Sequence, residues 1–175
     1  IGVARGRLGP SKILECLVEA LRTSASIFVI AIGAYLFGYF LTVTQTTQAL
    51  TDFLVHLPVG PYGVLALILV VYLIMGALMD ELAIILLTVP IIFPVIVALG
   101  FDPIWFGVII VMVVTLGLIM PPVGMNVFVI NSISRDVSLP RIYKGVMPFI
   151  AADIIRLAIL VAFPWISLVI PNSMH

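Results

Sequence analysis

The residues with the clearest chemical potential lie in one stretch, 117–126, which combines two adjacent prolines, two glycines and an amide side chain. Pro121 and Pro122 each lack a backbone N–H donor, and their rings clash with the carbonyls of the preceding helical turn. Gly117 and Gly124 flank them and tolerate unusual backbone angles. Because an unpaired carbonyl in hydrocarbon costs several kcal/mol, irregular backbone persists in a membrane only against protein or a wet cavity. A helix over 103–133 is therefore expected to break near its middle.

Such a break can bind ions, since broken helices of secondary transporters place freed carbonyls around cations and half-helix N-termini near anions. The alternative is a proline kink with only a packing role, which is common in membrane helices. The paired prolines, the glycines and Asn126 favour the break. We predict a sodium site made of backbone carbonyls near Gly117 and Gly124, with the Asn126 amide holding the loop or contacting substrate.

Two adjacent acids, Asp80 and Glu81, interrupt the second long apolar region, 62–99. Acidic side chains inside such a region are costly and usually functional. Each arm around them has about 18 residues, or roughly 27 Å at helical rise. Two complete spans joined by an acidic loop fit this pattern, and so does a re-entrant hairpin whose tip runs from Gly76 to Glu81. Asp80 also suits the N-cap of the second arm, and Asp102 suits the N-cap of the broken helix.

Composition supports an all-α integral membrane protein with several spans. Of the 175 residues 63% are hydrophobic and 9% charged, and the mean hydropathy is +1.36. Eight Lys and Arg balance eight Asp and Glu, so no basic surface for nucleic acid is expected. One cysteine and two distant histidines argue against a disulfide framework or a histidine-rich metal centre.

The flanking elements complete the predicted architecture. An amphipathic helix over 10–22 lies either on the membrane surface or in a soluble-facing linker, and a span over 24–44 and an interfacial helix over 47–57 follow. A short helix capped by Ser138 or Asp136 is expected in the connector that follows the broken helix. The last span is 149–170, bent near Pro164, and on it Asp153 and Arg156 are spaced to pair. Basic residues place the N-terminus and the connector after 133 in the cytoplasm, and the C-terminus outside; they are Arg5, Arg7, Lys12, Arg22, Arg135, Arg141 and Lys144.

Three segments together resemble the large permease subunit of TRAP (tripartite ATP-independent periplasmic) transporters. They are the stretch 117–129, the stretch 76–94 with its Met79-Asp80 pair, and 100–103. The resemblance covers the whole chain and is strongest from 76 to 149. Members of that family are more than twice as long and contain two inverted repeats, of which this chain resembles the C-terminal one.

The resemblance implies a sodium-driven, elevator-type importer of organic acids, such as a dicarboxylate, sialic acid or another carboxylate, in the bacterial or archaeal inner membrane. It implies no cofactor beyond the coupling sodium ion. The implied partners are a small membrane subunit, a periplasmic substrate-binding protein, the N-terminal repeat and membrane lipid. The resemblance favours the re-entrant hairpin and implies these sodium- or substrate-site residues: Gly76, Asp80, Thr115, Gly117, Met120, Pro121, Pro122, Gly124 and Asn126.

Three other functions compete with this interpretation. A sodium-coupled dicarboxylate or citrate symporter of related architecture would need no partner subunits. An intramembrane protease would need catalytic acids on two spans, or a serine beside a membrane histidine, and the sequence offers neither. A non-transporting membrane anchor would have no use for a broken helix. The sequence therefore predicts a secondary active transporter and not an enzyme.

Overall fold

The computed structural model describes residues 9–121, 123–133 and 137–173, and the regular structure in these ranges is helical. The all-α class predicted from the sequence is confirmed. In chain order, the helices of this described part are α1 (Pro10–Val43), α2 (Thr46–Val55), α3 (Gly60–Leu78), α4 (Glu81–Ala98), α5 (Pro103–Gly117), α6 (Met125–Ile133), α7 (Leu139–Ala162) and α8 (Trp165–Ser173).

Within the described ranges, four helices are long and apolar enough to cross a membrane: α1 from Ser11 onward, α3, α4 and α7. Helix α5 is apolar but shorter. Large apolar side chains lie on the outside of the molecule, and Phe28, Tyr35 and Phe149 are 68%, 77% and 69% exposed. Because exposing apolar surfaces of this extent to water is unfavourable, we expect lipid and further protein to cover them. The chain is a multi-pass membrane protein.

Helix α1 is continuous over 34 residues, which differs from the predicted division into 10–22 and 24–44. No glycine or proline lies between residues 20 and 26. The hydroxyls of Thr23 and Ser26 each donate to the carbonyl four residues earlier at 3.0 Å, so these polar side chains are accommodated within the helix. At helical rise α1 is about 51 Å long, more than the ~30 Å of a hydrocarbon core.

Helix α2 follows a left-handed residue, Gln45, whose φ is 54°. Its bounds nearly match the predicted helix over 47–57. On this helix Leu54 is buried and Phe53 is 64% exposed. The position of α2 at the membrane interface stays a prediction.

The predicted hairpin over 62–99 corresponds to α3 and α4, joined through Met79 and Asp80. Asp80 caps α4, as the sequence suggested, because its carboxylate accepts the backbone N–H groups of Leu82 and Ala83 at 3.0 and 3.3 Å. Two prolines lie inside α4 without ending it. Away from the tip, α3 packs mainly against α5, while α4 packs mainly against α1 and α2. The re-entrant character of the pair stays a prediction.

The core lies where α3, α4 and α5 meet, with α2, α7 and α8 packed around it. It is apolar, as expected from the continuous hydrophobic runs in these helices. Its most deeply buried side chains are Val64, Leu65, Ile84, Val95, Ile96, Trp105, Ile109, Ile110, Val113 and Val114. This core holds α5, the first half of the broken helix, as a rigid element.

Helices α7 and α8 replace the predicted last span over 149–170. Helix α7 begins ten residues earlier, directly after Ser138, and the connector helix predicted there is its first part. Asp136, the other suggested cap, lies outside the described residues. The predicted ion pair is confirmed, with Arg156 Nη2 2.9 Å from Asp153 Oδ1.

The bend predicted at Pro164 separates α7 from α8. Pro164 has no N–H for the carbonyl of Leu160, four residues earlier. The indole Nε1–H of Trp105 donates to that carbonyl instead, at 2.8 Å. Trp105 is 1% exposed and stacks on Phe101 at a centroid distance of 5.4 Å. The start of α5 is thereby attached to the bend.

Candidate functional site

The broken helix is interrupted where the sequence predicts, because α5 ends at Gly117 and α6 begins at Met125. After Gly117 the backbone tightens, and the N–H groups of Ile119 and Met120 donate to carbonyls three residues earlier, each at 3.2 Å. The N–H of Asn126 then donates to the Leu118 carbonyl at 3.1 Å. That bond joins the two ends of the seven-residue loop 118–124, which we call the break loop.

The carbonyls left unpaired differ from those that proline chemistry predicts. Pro121 and Pro122 cannot donate to Gly117 and Leu118, whose carbonyls should therefore lose their partners. Both carbonyls find new donors, since Gly117 accepts from Met120 and Leu118 from Asn126. Among the described residues, the carbonyls without a hydrogen bond include those of Ile119 and Met120. Carbonyl oxygens without a protein donor are chemically able to act as neutral ligands for a cation.

Gly124 lies against both of these carbonyls. Its φ is 48°, in the left-handed region that glycine adopts at little cost. A Cβ at this position would lie 3.1 Å from the Met120 oxygen and 3.3 Å from the Ile119 oxygen. Both oxygens are thus within reach of a single point beside Gly124, and the absence of a side chain keeps that point open.

The hairpin tip reaches the break loop through two glycines in backbone contact. A Cβ on Gly76 would lie 2.6 Å from the Val114 oxygen, and one on Gly117 would lie 2.7 Å from the Leu73 oxygen. Side chains at either position are incompatible with this approach of α3 to α5. The two predicted site residues, which are far apart in sequence, therefore meet, and they hold the end of α3 beside the end of α5.

A second link joins the tip to α5. The Thr115 hydroxyl lies 3.0 Å from Glu81 Oε1 and 2.8 Å from the Val111 carbonyl, and it can donate to either acceptor. Glu81 is the first residue of α4. Sequence reasoning did not include Glu81 among the site residues, although its adjacency to Asp80 in an apolar region was a signal. Asp80, by contrast, uses its carboxylate on the helix cap.

The remaining predicted residues have different places. Met120 and Pro121 line a cavity of about 280 Å³ together with apolar residues of α3 and the break loop, namely Leu73, Ile74, Ala77, Leu78 and Val123. The Asn126 side chain is exposed on α6, and the part of this residue that holds the loop is its backbone N–H. Pro122 lies outside the described residues.

One contact to the break loop comes from an element that the sequence did not implicate. The Tyr143 hydroxyl, on the second turn of α7, donates to the Val123 carbonyl at 2.9 Å. Helix α7 packs against α5 and α6. No local sequence pattern indicates this bond, because its partners are 20 residues apart, one in the break loop and the other in α7.

Comparison with known proteins matches residues 1–166 to the family described as the DctM component of the tripartite ATP-independent periplasmic transporter. The chain is 32% identical over 159 residues to the sialic acid TRAP transporter large permease protein SiaM of Vibrio cholerae. It is 34% identical over 164 residues to the C4-dicarboxylate TRAP transporter large permease protein DctM of Pseudomonas aeruginosa. It is 32% identical over 154 residues to the isethionate TRAP transporter permease protein DctMQ of Oleidesulfovibrio alaskensis.

These three alignments cover 91%, 92% and 88% of this chain, but only 37%, 38% and 24% of the relatives. The chain therefore spans less than two fifths of the length of these relatives. The family match still extends over nearly the whole chain, including the hairpin tip and the break loop. The chain belongs to the DctM component family of tripartite ATP-independent periplasmic transporters.

Proposed function

We propose that this chain is the C-terminal repeat of a TRAP large permease subunit that imports an organic acid by sodium symport. The substrate classes to consider are those in the names of its relatives: sialic acid, C4-dicarboxylates and isethionate. All three carry an acid group that is ionised at neutral pH. Import of such an anion against its gradient needs a source of free energy, which a cation moving down its own gradient can supply. Backbone carbonyl oxygens like those of the break loop suit sodium as ligands.

The observation that carries this proposal is the pair of unpaired carbonyls beside Gly124. Neutral carbonyl oxygens suit a monovalent hard cation, because they replace its hydration shell without adding charge. Among the described residues, no group of three His, Cys, Asp or Glu side chains is arranged to hold a metal ion. Sodium bound at the break loop would therefore be held by backbone oxygens of Ile119 and Met120 and by ligands from other parts of the transporter.

The hairpin tip is the second part of the proposed site. Gly76 brings the end of α3 against Gly117, and Glu81 accepts from Thr115. Movement of the tip would therefore be transmitted to α5 through backbone contact. We infer that α3 and α4 form a re-entrant hairpin and that this repeat moves as the transport unit of an elevator-type carrier.

The proposed assembly contains the N-terminal repeat of the same subunit, a small membrane subunit and a periplasmic substrate-binding protein. We place the N-terminus of the chain in the cytoplasm and its C-terminus in the periplasm, because lysine and arginine concentrate before the first span and after the broken helix. The host membrane is the inner membrane of a bacterial or archaeal cell. Lipid covers the exposed apolar faces that are not in contact with these partners.

Sodium binding is tested in the purified complete subunit by its thermal stabilisation as NaCl replaces choline chloride. A ligand that binds only the folded state stabilises it by RT ln(1 + [L]/Kd), so the titration reports an apparent Kd. In Gly124→Ala the new methyl group meets both carbonyl oxygens, and we expect the apparent Kd for sodium to rise about tenfold or more. Asn126→Ala should lower uptake of the three substrate classes in liposomes while leaving membrane insertion intact.

Gly100→Ala is the matched control, since Gly100 also has a positive φ, 82°, but no atom lies within 4 Å of its Cβ position. Both variants carry the backbone strain, and only Gly124→Ala contacts the break-loop oxygens. An equal sodium Kd in the two variants would show that the break is a packing kink. Uptake that does not respond to sodium at all would contradict the proposed symport.

A further inference from the structure

The Tyr143 hydroxyl binds the peptide group between Val123 and Gly124, and a peptide group that precedes a glycine can rotate at little cost. The hydroxyl donates to the Val123 carbonyl at 2.9 Å, and the next residue is Gly124. A peptide plane can rotate by changing ψ of one residue and φ of the next while both side chains stay in place. Glycine at the second position makes both signs of φ accessible at similar cost. Without a bond to its carbonyl, the 123–124 peptide has little to fix it.

The orientation of this peptide matters for the proposed ion site. In a planar trans peptide the C=O and N–H point in opposite directions, so fixing the Val123 carbonyl towards α7 aims the Gly124 N–H away from it. Rotation of the plane would move φ of Gly124 from its present 48° to the negative side. The same residue lies beside the unpaired oxygens of Ile119 and Met120. Their arrangement therefore depends on the conformation that the hydroxyl selects.

We propose that Tyr143 is a positioning residue of the transport cycle, which locks the 123–124 peptide and thereby keeps the break loop in its ion-binding conformation. The control of sodium affinity by α7 rests on the function proposed above; the locking of the loop does not. Tyr143 has a further interaction besides this bond, and a change to phenylalanine keeps its ring in place. The hydroxyl is the part of the side chain that carries the proposal.

The test compares Tyr143→Phe with Tyr72→Phe in the complete subunit. Tyr72 is buried, and its hydroxyl donates to Thr88 at 2.7 Å, between α3 and α4. Each variant loses one hydroxyl. The bond to the Val123 carbonyl is lost in Tyr143→Phe and the bond to Thr88 in Tyr72→Phe, and of these two hydroxyls only that of Tyr143 contacts the break loop. Hydrogen–deuterium exchange of peptides covering 118–128 reports loop opening, and the NaCl titration against choline chloride reports the apparent Kd for sodium.

We expect Tyr143→Phe to speed exchange of the break-loop amides about two- to tenfold, the range expected for loss of one hydrogen bond. The apparent Kd for sodium should rise by a similar factor, while the transport rate at saturating sodium stays near wild type. Tyr72→Phe should leave both break-loop exchange and sodium Kd unchanged. A purely structural role would instead lower the amount of folded protein without changing the Kd.

Unchanged exchange over 118–128 in Tyr143→Phe would overturn the proposal whatever the transport data show. Faster exchange with an unchanged sodium Kd would overturn the link from Tyr143 to the ion site. If the wild-type subunit shows no sodium response, the proposed symport fails, and the exchange measurement still decides whether Tyr143 locks the loop. The two proposals therefore fail by different observations.

Discussion

The glycine contact between α3 and α5 predicts that Gly117→Ala destabilises the protein although alanine is the better helix former. The new Cβ would lie 2.7 Å from the Leu73 carbonyl oxygen and 2.8 Å from the carbonyl carbon and Cα of Gly76. These are backbone atoms of α3, which cannot change rotamer to make room. Because the contact distances fall several tenths of an ångström below van der Waals contact, the two helices must separate along their closest approach.

The size of the effect follows from two opposing terms. Forcing an extra methyl group into packed structure costs typically about 1–3 kcal/mol. Replacing glycine by alanine in a helix gains at most about 1 kcal/mol, and less at this position, because Gly117 is the last residue of α5. The net loss should be about 1–2 kcal/mol. The fall in Tm per kcal/mol is about 2–4 °C for a domain of 150–250 residues and is smaller for the longer complete subunit.

The assay is thermal unfolding of the complete subunit in detergent, with Gly107→Ala as the matched control. Gly107 lies in the middle of the same helix, is half-buried and has no atom within 4 Å of its Cβ position. This control should therefore be neutral or stabilised by up to about 1 kcal/mol. Gly76→Ala probes the other side of the contact, at 2.6 Å from the Val114 oxygen, and should be destabilised like Gly117→Ala.

A double variant, Gly76→Ala with Gly117→Ala, distinguishes one shared contact from two separate defects. Once the first alanine has separated the helices, the second meets less resistance, so the combined loss should be smaller than the sum. Unfolding of Gly117→Ala at or above the temperature of Gly107→Ala would refute the reasoning. It would mean that α3 and α5 are not in backbone contact at these glycines.

Two further pairs of substitutions, each a test variant with its control, probe the supports of α5 and of the tip. Trp105→Phe keeps a stacked ring but leaves the Leu160 carbonyl without its donor, so thermal unfolding should show a loss of about 1–3 kcal/mol. Trp165→Phe is the control, because Trp165 is 63% exposed and its replacement should change the stability little. Asp80→Ala and Asp102→Ala each remove a carboxylate that accepts two N–H groups at a helix start, so each should lose about 0.5–2 kcal/mol. Only Asp80→Ala should also lower substrate uptake in liposomes, and equal uptake by the two would remove Asp80 from the site.

Local signals in the sequence determine much of this fold. Asp80 and Asp102 were expected to cap helices, and both carboxylates accept N–H groups two and three residues further along the chain. The Asp153–Arg156 pair follows from helical spacing alone. The one boundary placed inside α1 rested on polarity, and polarity does not end a helix when hydroxyls can bond to their own backbone. Breakers and caps therefore predict helix ends better than composition does.

The candidate site was predictable only in part, because contacts between residues far apart in the chain produce no periodic pattern in the sequence. Gly76 and Gly117 were each visible as glycines within apolar helices. Only the family resemblance placed both at one site, and no spacing in either segment predicts their backbone contact. The role of Tyr143 is even less predictable, because a single tyrosine near the start of a helix forms no sequence pattern. The unpaired carbonyls of Ile119 and Met120 could not be predicted either. The two prolines predict unpaired carbonyls at Gly117 and Leu118, and the folded loop supplies new donors to both.

The break loop shows how a membrane protein keeps irregular backbone without losing its structure. Each unpaired carbonyl in hydrocarbon costs several kcal/mol, so a loop that freed all of its carbonyls would not persist. The carbonyl of Gly117, just before this loop, and those of Leu118 and Val123 within it are paired again, the last by Tyr143 of α7. The backbone of α3 also contacts the end of α5. Carbonyls without partners remain beside Gly124, where no side chain occupies the space. A cation bound there would offset the free-energy cost of these unpaired carbonyls. The pattern in which some carbonyls regain donors and others do not therefore argues for a binding site more strongly than the two prolines do.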